Sequence, residues 1–222
     1  ATAVLPRWVQ VVHRLAGDTV NIHVGIPWRA GDPWREQSFA YVQVHLRAAG
    51  FHPESYDNGA EPFSRAGSRN LAVRCSDADV VILHDADMVC PPDAYRQMAE
   101  LAMSSDRMVV GFNRYRPLSK SATVEAFRGA DPFTFDPIAE LVDFSVGGVV
   151  AITPECWWAA GGMDERFVGW GCEDFAFANA ASETLGPLLR LDSPAVHLWH
   201  RHAGDPADPD QQANSRLLAG GG

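Results

Sequence analysis

Lysine is almost missing from this chain: Lys120 is the only one, and arginine makes up the other 17 of its 18 basic residues. Acids outnumber bases 28 to 18, for a formal net charge of −10. An acidic chain gains no bulk attraction to phosphate backbones, which counts against nucleic acid as a partner. No run of about 18 apolar residues occurs, so the sequence offers no membrane-spanning helix. Its first residues, Ala1 to Arg7, lack the basic segment and apolar run of a signal peptide, although a start at Ala1 is compatible with an earlier segment having been removed. The four cysteines (Cys75, Cys90, Cys156 and Cys172) form no C-x-x-C pair, which excludes a zinc ribbon. A chain of this size does not need covalent staples, so they read as reduced thiols in a soluble, cytoplasmic protein. Internal repeats and low-complexity blocks are absent as well.

What is present suits one sizeable domain: 222 residues, 46% apolar and 21% charged, enough to enclose a core. Val20 to Ile26 alternates and is β-branched, the pattern of a strand. Pro27 to Pro33 is a loop by its turn residues. Arg35 to Ala49 carries Phe39, Val42 and Leu46 at helical spacing and stops at Gly50, a C-cap residue type. Phe63 to Arg74 suits a second helix that begins near Ser64 or Ser68. Asp79 to His84 is a short, continuous apolar run of the kind found in buried parallel strands. A helix over Asp93 to Met103 and a strand over Met108 to Phe112 follow. From Asn113 to Asp143 the alternation breaks into a polar excursion that holds Arg114, Arg116, Lys120 and Arg128, and it reads as a cover over a binding face. Val146 to Ile152 resumes as a strand, Pro154 to Ala160 as a short helix and Asp174 to Ala181 as another. Gly204 to Asp210 reads as a turn-rich loop. Strands alternating with helices predict an α/β fold with a mainly parallel sheet flanked by helices.

Three clusters carry chemistry. His84-Asp-Ala-Asp87 follows the apolar strand directly, where ligands bind in open α/β sheets. Asp85 and Asp87 repel each other there, and a hard divalent cation relieves that cost by taking carboxylate oxygens; a plain turn with capping acids is the simpler alternative. Gly161 to Asp174 combines turn-permitting glycines, Trp170 between two of them, and Glu173 and Asp174 at a helix start, where the dipole keeps carboxylates ionised. A positioned, ionised carboxylate is what a general base requires. His197-Leu-Trp-His-Arg-His202 offers imidazoles that can complete a metal site, or else forms an aromatic edge strand.

In this order, the segments resemble glycosyltransferases of the GT-A, family 2-like fold, with most likeness to the β-1,4-galactosyltransferase and polypeptide N-acetylgalactosaminyltransferase group. Ile26-Pro-Trp-Arg29 looks like the family's first strand and Pro-x-Arg loop, and Phe63-Ser-Arg-Ala66 with Arg69-Asn-Leu-Ala72 looks like its Phe-Asn-Arg-Ala helix. His84-Asp-Ala-Asp87 looks like its Asp-x-Asp motif. Gly147-Gly148 and Gly169-Trp-Gly-Cys-Glu-Asp174 look like its Gly-Gly strand and its Gly-Trp-Gly-Gly-Glu-Asp loop. The resemblance implies a GT-A domain over residues 1–205, with a nucleotide-binding half (about 20–112), an acceptor and catalytic half (about 113–205), and a C-terminal tail over 206–222.

By position, the resemblance places the nucleotide and its diphosphate on Pro27, Arg29, Phe63 and Arg65, with Gly148 at the donor site. Asp87 becomes the direct ligand of Mn2+ or Mg2+, joined by His200, or by His197 and His200. Asp85 lies beside it on the ribose or a metal-bound water. Trp170 closes over a substrate, Asp174 is the base, and Glu173 orients the acceptor. The Glu-Asp ending is the inverting type, whereas retaining relatives tend to carry Glu-Asn. The implied reaction moves a sugar from a nucleotide-sugar, usually a UDP-sugar, to an acceptor hydroxyl. Cys172 departs from the family glycine, and the three histidines match no one subfamily. Two other readings compete: a non-catalytic sugar- or nucleotide-binding protein of the same fold, and a sugar nucleotidyltransferase. The latter typically has a Gly-rich basic phosphate loop, where this chain has Pro27-Trp-Arg29.

Overall fold

The structure is a computed structural model that describes residues 20–169, 171–201 and 209–220. A six-stranded mixed sheet forms its centre, in the order β2-β1-β3-β8-β5-β9. Its strands are β1 (Ile22–Pro27), β2 (Pro53–Tyr56), β3 (Val80–His84), β5 (Val109–Val110), β8 (Val149–Ile152) and β9 (Leu189–Arg190). A second sheet runs β4-β10-β6-β7, from Met88–Val89, Pro194–His197, Arg114–Pro117 and Leu141–Val142 respectively. The helices are α1 (Pro33–Ala48), α2 (Arg65–Arg74), α3 (Pro92–Ser105), α4 (Lys120–Phe127), α5 (Pro154–Ala159), α6 (Glu173–Leu185) and α7 (Pro209–Leu218).

Strand β3 is the spine, with all five residues buried. Its four aliphatic side chains each contribute roughly 1.5–3 kcal/mol by leaving water. It pairs in parallel with β1, and α2 lies close on β1: a Cβ on Gly25 would stand 2.7 Å from that of Ala72. Helix α1 begins where expected, since Asp32 accepts hydrogen bonds from the amides of Trp34 and Arg35 at its N-terminus. Ser64, rather than Ser68, caps α2 through the Gly67 amide.

Strand β8 runs antiparallel to both neighbours, β3 and β5. His84 at the end of β3 therefore pairs with Val149 at the start of β8. This reversal brings Gly147-Gly148 to the carboxyl end of the spine, beside the paired aspartates. The polar excursion is itself structured, because it contributes β6, α4 and β7. The turn-rich loop expected over Gly204 to Asp210 is corrected in part. Residues 202–208 lie outside the described residues, and from Pro209 the chain is helical. Helix α7 packs on α6, and its buried Asn214 donates to the Val168 carbonyl at 2.8 Å.

Candidate active site

A relay of hydrogen bonds holds the turn after β3. The Cys90 amide donates to the Tyr95 oxygen (3.0 Å), the Tyr95 hydroxyl faces His84 Nε2 (3.1 Å), and His84 Nδ1 donates to the Asp85 carbonyl (2.7 Å). Burial pushes the His84 pKa down to about 4. This imidazole is a neutral post that shapes the turn, and it is not one of the clustered metal-type donors. The Asp85 amide closes the other side by donating to the Gly148 carbonyl at 2.6 Å.

Asp87 meets the distant histidines through strand pairing. Strands β4 and β10 run antiparallel with Met88 opposite His197, and the Leu198 amide donates to the Asp87 carbonyl at 2.8 Å. The side chains then converge. His200 Nε2 lies 3.2 Å and His197 Nε2 3.7 Å from the Asp87 carboxylate, and the two Nε2 atoms are 3.3 Å apart. His200 Nδ1 sits 2.7 Å from the Arg201 carbonyl, which can only accept, so Nδ1 carries hydrogen. In its neutral form His200 thus points the Nε2 lone pair at a carboxylate. Either a proton or a cation must sit between them. Burial alone lowers the His200 pKa, but its bond to Asp87 outweighs this and raises it. Burial would likewise raise the Asp87 pKa, yet the His200 bond and both imidazoles hold it far below the carboxylate range.

The donor atoms of Asp87, His197 and His200 all lie within 4.8 Å of one another. One carboxylate and two imidazoles, with one lone pair already aimed inward, fit a divalent ion. The nitrogen donors favour a first-row transition ion over Mg2+, which prefers oxygen ligands. Asp85 stands apart from this group, and His202 lies outside the described residues.

Asp174 and its partners form a second, contiguous cluster. Arg69, only 2% exposed, reaches Asp85 Oδ1 and Asp174 Oδ1 at 2.6 Å each and Glu173 Oε1 at 3.5 Å. Arg65, one turn earlier on α2, pairs with Glu173 at 2.6 Å. Glu173 is buried and turned toward both arginines, whereas Asp174 keeps part of its carboxylate open to the cleft. Burial raises the Asp174 pKa to about 6; Arg69 opposes that rise, and Glu173 and Asp85 add to it. The carboxylate lies against Gly147, in the space a side chain there would fill.

The metal-ready triad and Asp174 face one cleft of about 1010 Å3, whose lining includes Phe63, Arg65, Asp85 and Gly148. That volume is ample for two substrates together. Arg29 is not among the residues that line the cleft. Its fork is held by Asp57, at 2.7 Å from each oxygen, and by Glu61 at 2.9 Å, and its guanidinium sits 5.1 Å over the Phe63 ring. Pro27 ends β1 in the same layer. Trp170 lies outside the described residues. From the polar excursion the cleft receives Tyr115, Pro117, Leu118 and Ile138 rather than the basic residues. Arg114 pairs with Asp192, Arg116 holds the Phe133 and Phe135 carbonyls, and Arg128 pairs with Glu125.

Arg69, which the sequence pattern placed in a helix motif without a role, is the residue that ties these carboxylates together. The available signal was a pair of arginines at i and i+4 on a helix whose site contains four acids in need of counter-charge.

Two family models match in succession: glycosyl transferase family 2 over residues 55–144, and the N-terminal domain of galactosyltransferase over residues 142–198. By sequence, no curated protein matches. Among solved structures, Drosophila β1,4-galactosyltransferase 7 in complex with xylobiose is 14% identical with a TM-score of 0.56, covering 89% of this chain and 80% of that one. GalNAc-T7 with UDP, GalNAc and Mn2+ is 13% identical with a TM-score of 0.56, over 91% of this chain and 48% of that one. Glucosyl-3-phosphoglycerate synthase of Mycobacterium tuberculosis, with Mn2+, UDP and its product, is 13% identical with a TM-score of 0.53, over 98% and 86%. Fold, site and family segments together define the class, a glycosyltransferase with the GT-A fold. No described helix is long and apolar enough to cross a membrane.

Proposed function

We propose that the chain transfers a sugar from a UDP-sugar to an acceptor hydroxyl, with inversion, using a divalent ion held by Asp87, His197 and His200 and Asp174 as the base. The observation that carries this reading is one cleft with two chemistries side by side: a donor set for a cation and a carboxylate of raised basicity. Asp174 takes the proton of the acceptor hydroxyl as that oxygen bonds to the anomeric carbon. The bond from that carbon to the donor diphosphate breaks on the opposite face, and its electron pair leaves with the diphosphate. A bound divalent ion supplies electrostatic stabilisation of that leaving group. A base with a pKa near 6 is ionised at neutral pH yet still accepts a proton readily. Arg69 holds Asp174 through Oδ1, which leaves Oδ2 for the acceptor. Phe63, steadied by Arg29, offers a ring face to the nucleotide base.

Manganese is the favoured ion, on the mixed donor set and on its presence with UDP or a UDP-sugar in the similar solved structures. Residues 20–112 form the nucleotide half and 113–205 the acceptor half.

A panel of UDP- and GDP-sugars, incubated with Mn2+ or with chelator and assayed for released nucleoside diphosphate, tests this. Metal-dependent release from one donor is expected. Asp174→Asn should abolish release while sparing Mn2+-dependent UDP binding, and Asp87→Ala should remove that binding. Undiminished turnover in Asp174→Asn rejects Asp174 as the base, and UDP binding indifferent to chelator rejects the metal role.

A further inference from the structure

One wall of the cleft is both exposed and apolar. Half of the large apolar side chains that lie open to water in the described chain fall in one short stretch: Ile138 (67% exposed), Leu141, Val142 and Phe144 (62%). Single exposed apolar residues are ordinary, but a contiguous group marks a binding surface. This group is contiguous. Leu141 pairs with Tyr115 across β6 and β7, and the Tyr115 and Phe144 ring centroids are 6.5 Å apart. Tyr115 lies 5.5 Å from the His197 ring, so a line of rings runs from the triad to the outer surface. Phe175, 47% exposed, follows Asp174 directly, and Phe144 shortly precedes Gly147, on which the Asp174 carboxylate packs. Ile138, Phe144 and Phe175 all line the cleft. A molecule that brings a hydroxyl to Asp174 therefore meets these side chains with the rest of its body.

The polar groups of the same segments are already engaged. Arg114 pairs with Asp192, and Arg116 faces Glu140 and holds the Phe133 and Phe135 carbonyls. Arg190 donates to the Ser145 carbonyl at 2.6 Å, and the Ser145 hydroxyl bonds to the Gly147 backbone at 3.3 Å. Gln211 Oε1, which lines the cleft from α7, is buried without a partner, and it suits a single hydroxyl. A saccharide can stack on an aromatic face, but each of its hydroxyls that leaves water unpaired carries a penalty. A carboxylate or phosphate finds no open cation among the described residues of this wall. An apolar body gives up no hydrogen bonds and gains by covering the rings. We infer that the acceptor is amphipathic: a reacting hydroxyl carried on an aryl or alkyl body that lies on the Ile138–Phe144–Phe175 surface. This rests on the glycosyl-transfer reading above, with Asp174 as the base.

The test compares matched compounds. The intact protein, with Mn2+ and a UDP-sugar that it hydrolyses, is given the methyl, phenyl and hexyl β-glycosides of glucose, galactose and xylose, and release of nucleoside diphosphate is followed. A bound compound either accepts the sugar and speeds release, or displaces water from Asp174 and slows it, so each yields a half-effect concentration. The phenyl or hexyl form should act at a concentration about tenfold below that of the methyl form of the same sugar, the lower end of what apolar pocket contacts give. A gain confined to the phenyl forms assigns an aryl body, and one confined to the hexyl forms an alkyl chain. Phe144→Ala and Phe175→Ala should each shrink the gain to about twofold, with calorimetric UDP binding as in wild type. Equal half-effect concentrations for the three forms, no effect from any of them, or a gain that survives both substitutions overturns the inference. A sedimentation mass that falls by half in Phe144→Ala with selectivity unchanged also overturns it, and gives the surface to a second copy of the chain. If wild type releases no nucleoside diphosphate from any UDP-sugar and binds no UDP with Mn2+, the glycosyl-transfer reading fails first, and that result is distinct from all of these.

Discussion

Asp174 owes its position to a missing side chain, and Gly147→Ala tests this directly. A Cβ on residue 147 would meet the whole Asp174 carboxyl group, with Oδ1 at 2.8 Å and Cγ and Oδ2 nearer still. Ordinary carbon contacts are about 3.5–4.0 Å, so the carboxylate must withdraw by about 1 Å. The backbone does not oppose the change, since Gly147, unlike Gly148 at φ 87°, lies outside the left-handed region. The obstructing atoms are the free end of a side chain, so the fold can absorb the methyl group. Its entropic effect on the unfolded chain favours the variant by about 0.4–1 kcal/mol. Stability should therefore hold to within about 1 kcal/mol. The rate should not hold, because a misplacement near 1 Å in a catalytic group costs on the order of 100-fold, or about 2.7 kcal/mol in the barrier. The assay is metal-dependent release of nucleoside diphosphate, read beside calorimetric UDP binding and thermal denaturation. The expected result is kcat down about 100-fold with UDP affinity and melting temperature nearly unchanged. A kcat within about threefold of wild type would refute the packing argument, and a parallel loss of UDP binding would place the damage in the donor site instead.

Three further predictions come from the same neighbourhood. The Asp174 pKa is raised to about 6, above an unfolded value near 3.9, so the folded state binds this proton more tightly. Stability from this group is thus full below about pH 4 and lost as pH rises through 6. By denaturant titration, Asp174→Asn should exceed wild type at pH 7.5 by at most about 3 kcal/mol, with the gap closing near pH 4; a gap that widens on acidification would contradict the sign. The hydrolysis rate of wild type should rise tenfold per pH unit below about 6 and level off above, and a flat profile there would exclude this group as the base. Asn70 ties α2 to the turn around Met163. Its oxygen accepts from Trp157 Nε1 (3.1 Å) and the Met163 amide (2.9 Å), and its nitrogen donates to the Met163 carbonyl (2.8 Å) and Glu165 (2.9 Å). Asn70→Ala leaves several of these buried groups unpaired and should cost roughly 3 kcal/mol, or about 6–12 °C in Tm; a shift under 2 °C would mean that water or rearrangement replaces the bonds.

The parts of the molecule legible in its sequence are those specified locally. Strand β3 shows as an apolar run, α1 and α2 show by period and caps, and the aspartate pair follows its strand without interruption. The unread parts are made by partners. Strand β2, Pro-Glu-Ser-Tyr, has little strand propensity and is extended because β1 supplies its hydrogen bonds. Strands β4, β7 and β9 are two residues long, too short for any period to register. The reversal of β8, which delivers Gly147 to Asp174, has no local mark at all. The histidine segment was visible as a metal candidate, but the choice of His197 and His200 depends on the β4–β10 register that sets Met88 against His197. Arg69 looks in sequence like any helix-surface arginine; only the packing of α2 against the two carboxylate turns shows that it is buried.

That burial explains why the site can exist before its ligands arrive. Three carboxylates gathered around one arginine do not form a stabilising arrangement in themselves, since desolvation offsets much of the attraction, and apolar replacements of such groups are often neutral or better. What the arrangement gives is fixed geometry. Arg69 donates to Asp85 on one side and Asp174 on the other, so the end of β3 and the start of α6 are held at one spacing by a single rigid fork. Asp85 cannot move without shifting the turn that carries Asp87, and Asp174 is steadied from the other side by the same guanidinium. The metal-ready triad and Asp174 are therefore registered to each other through the protein rather than through a ligand. This is the condition under which electrostatic preorganisation lowers a barrier instead of being consumed in rearrangement.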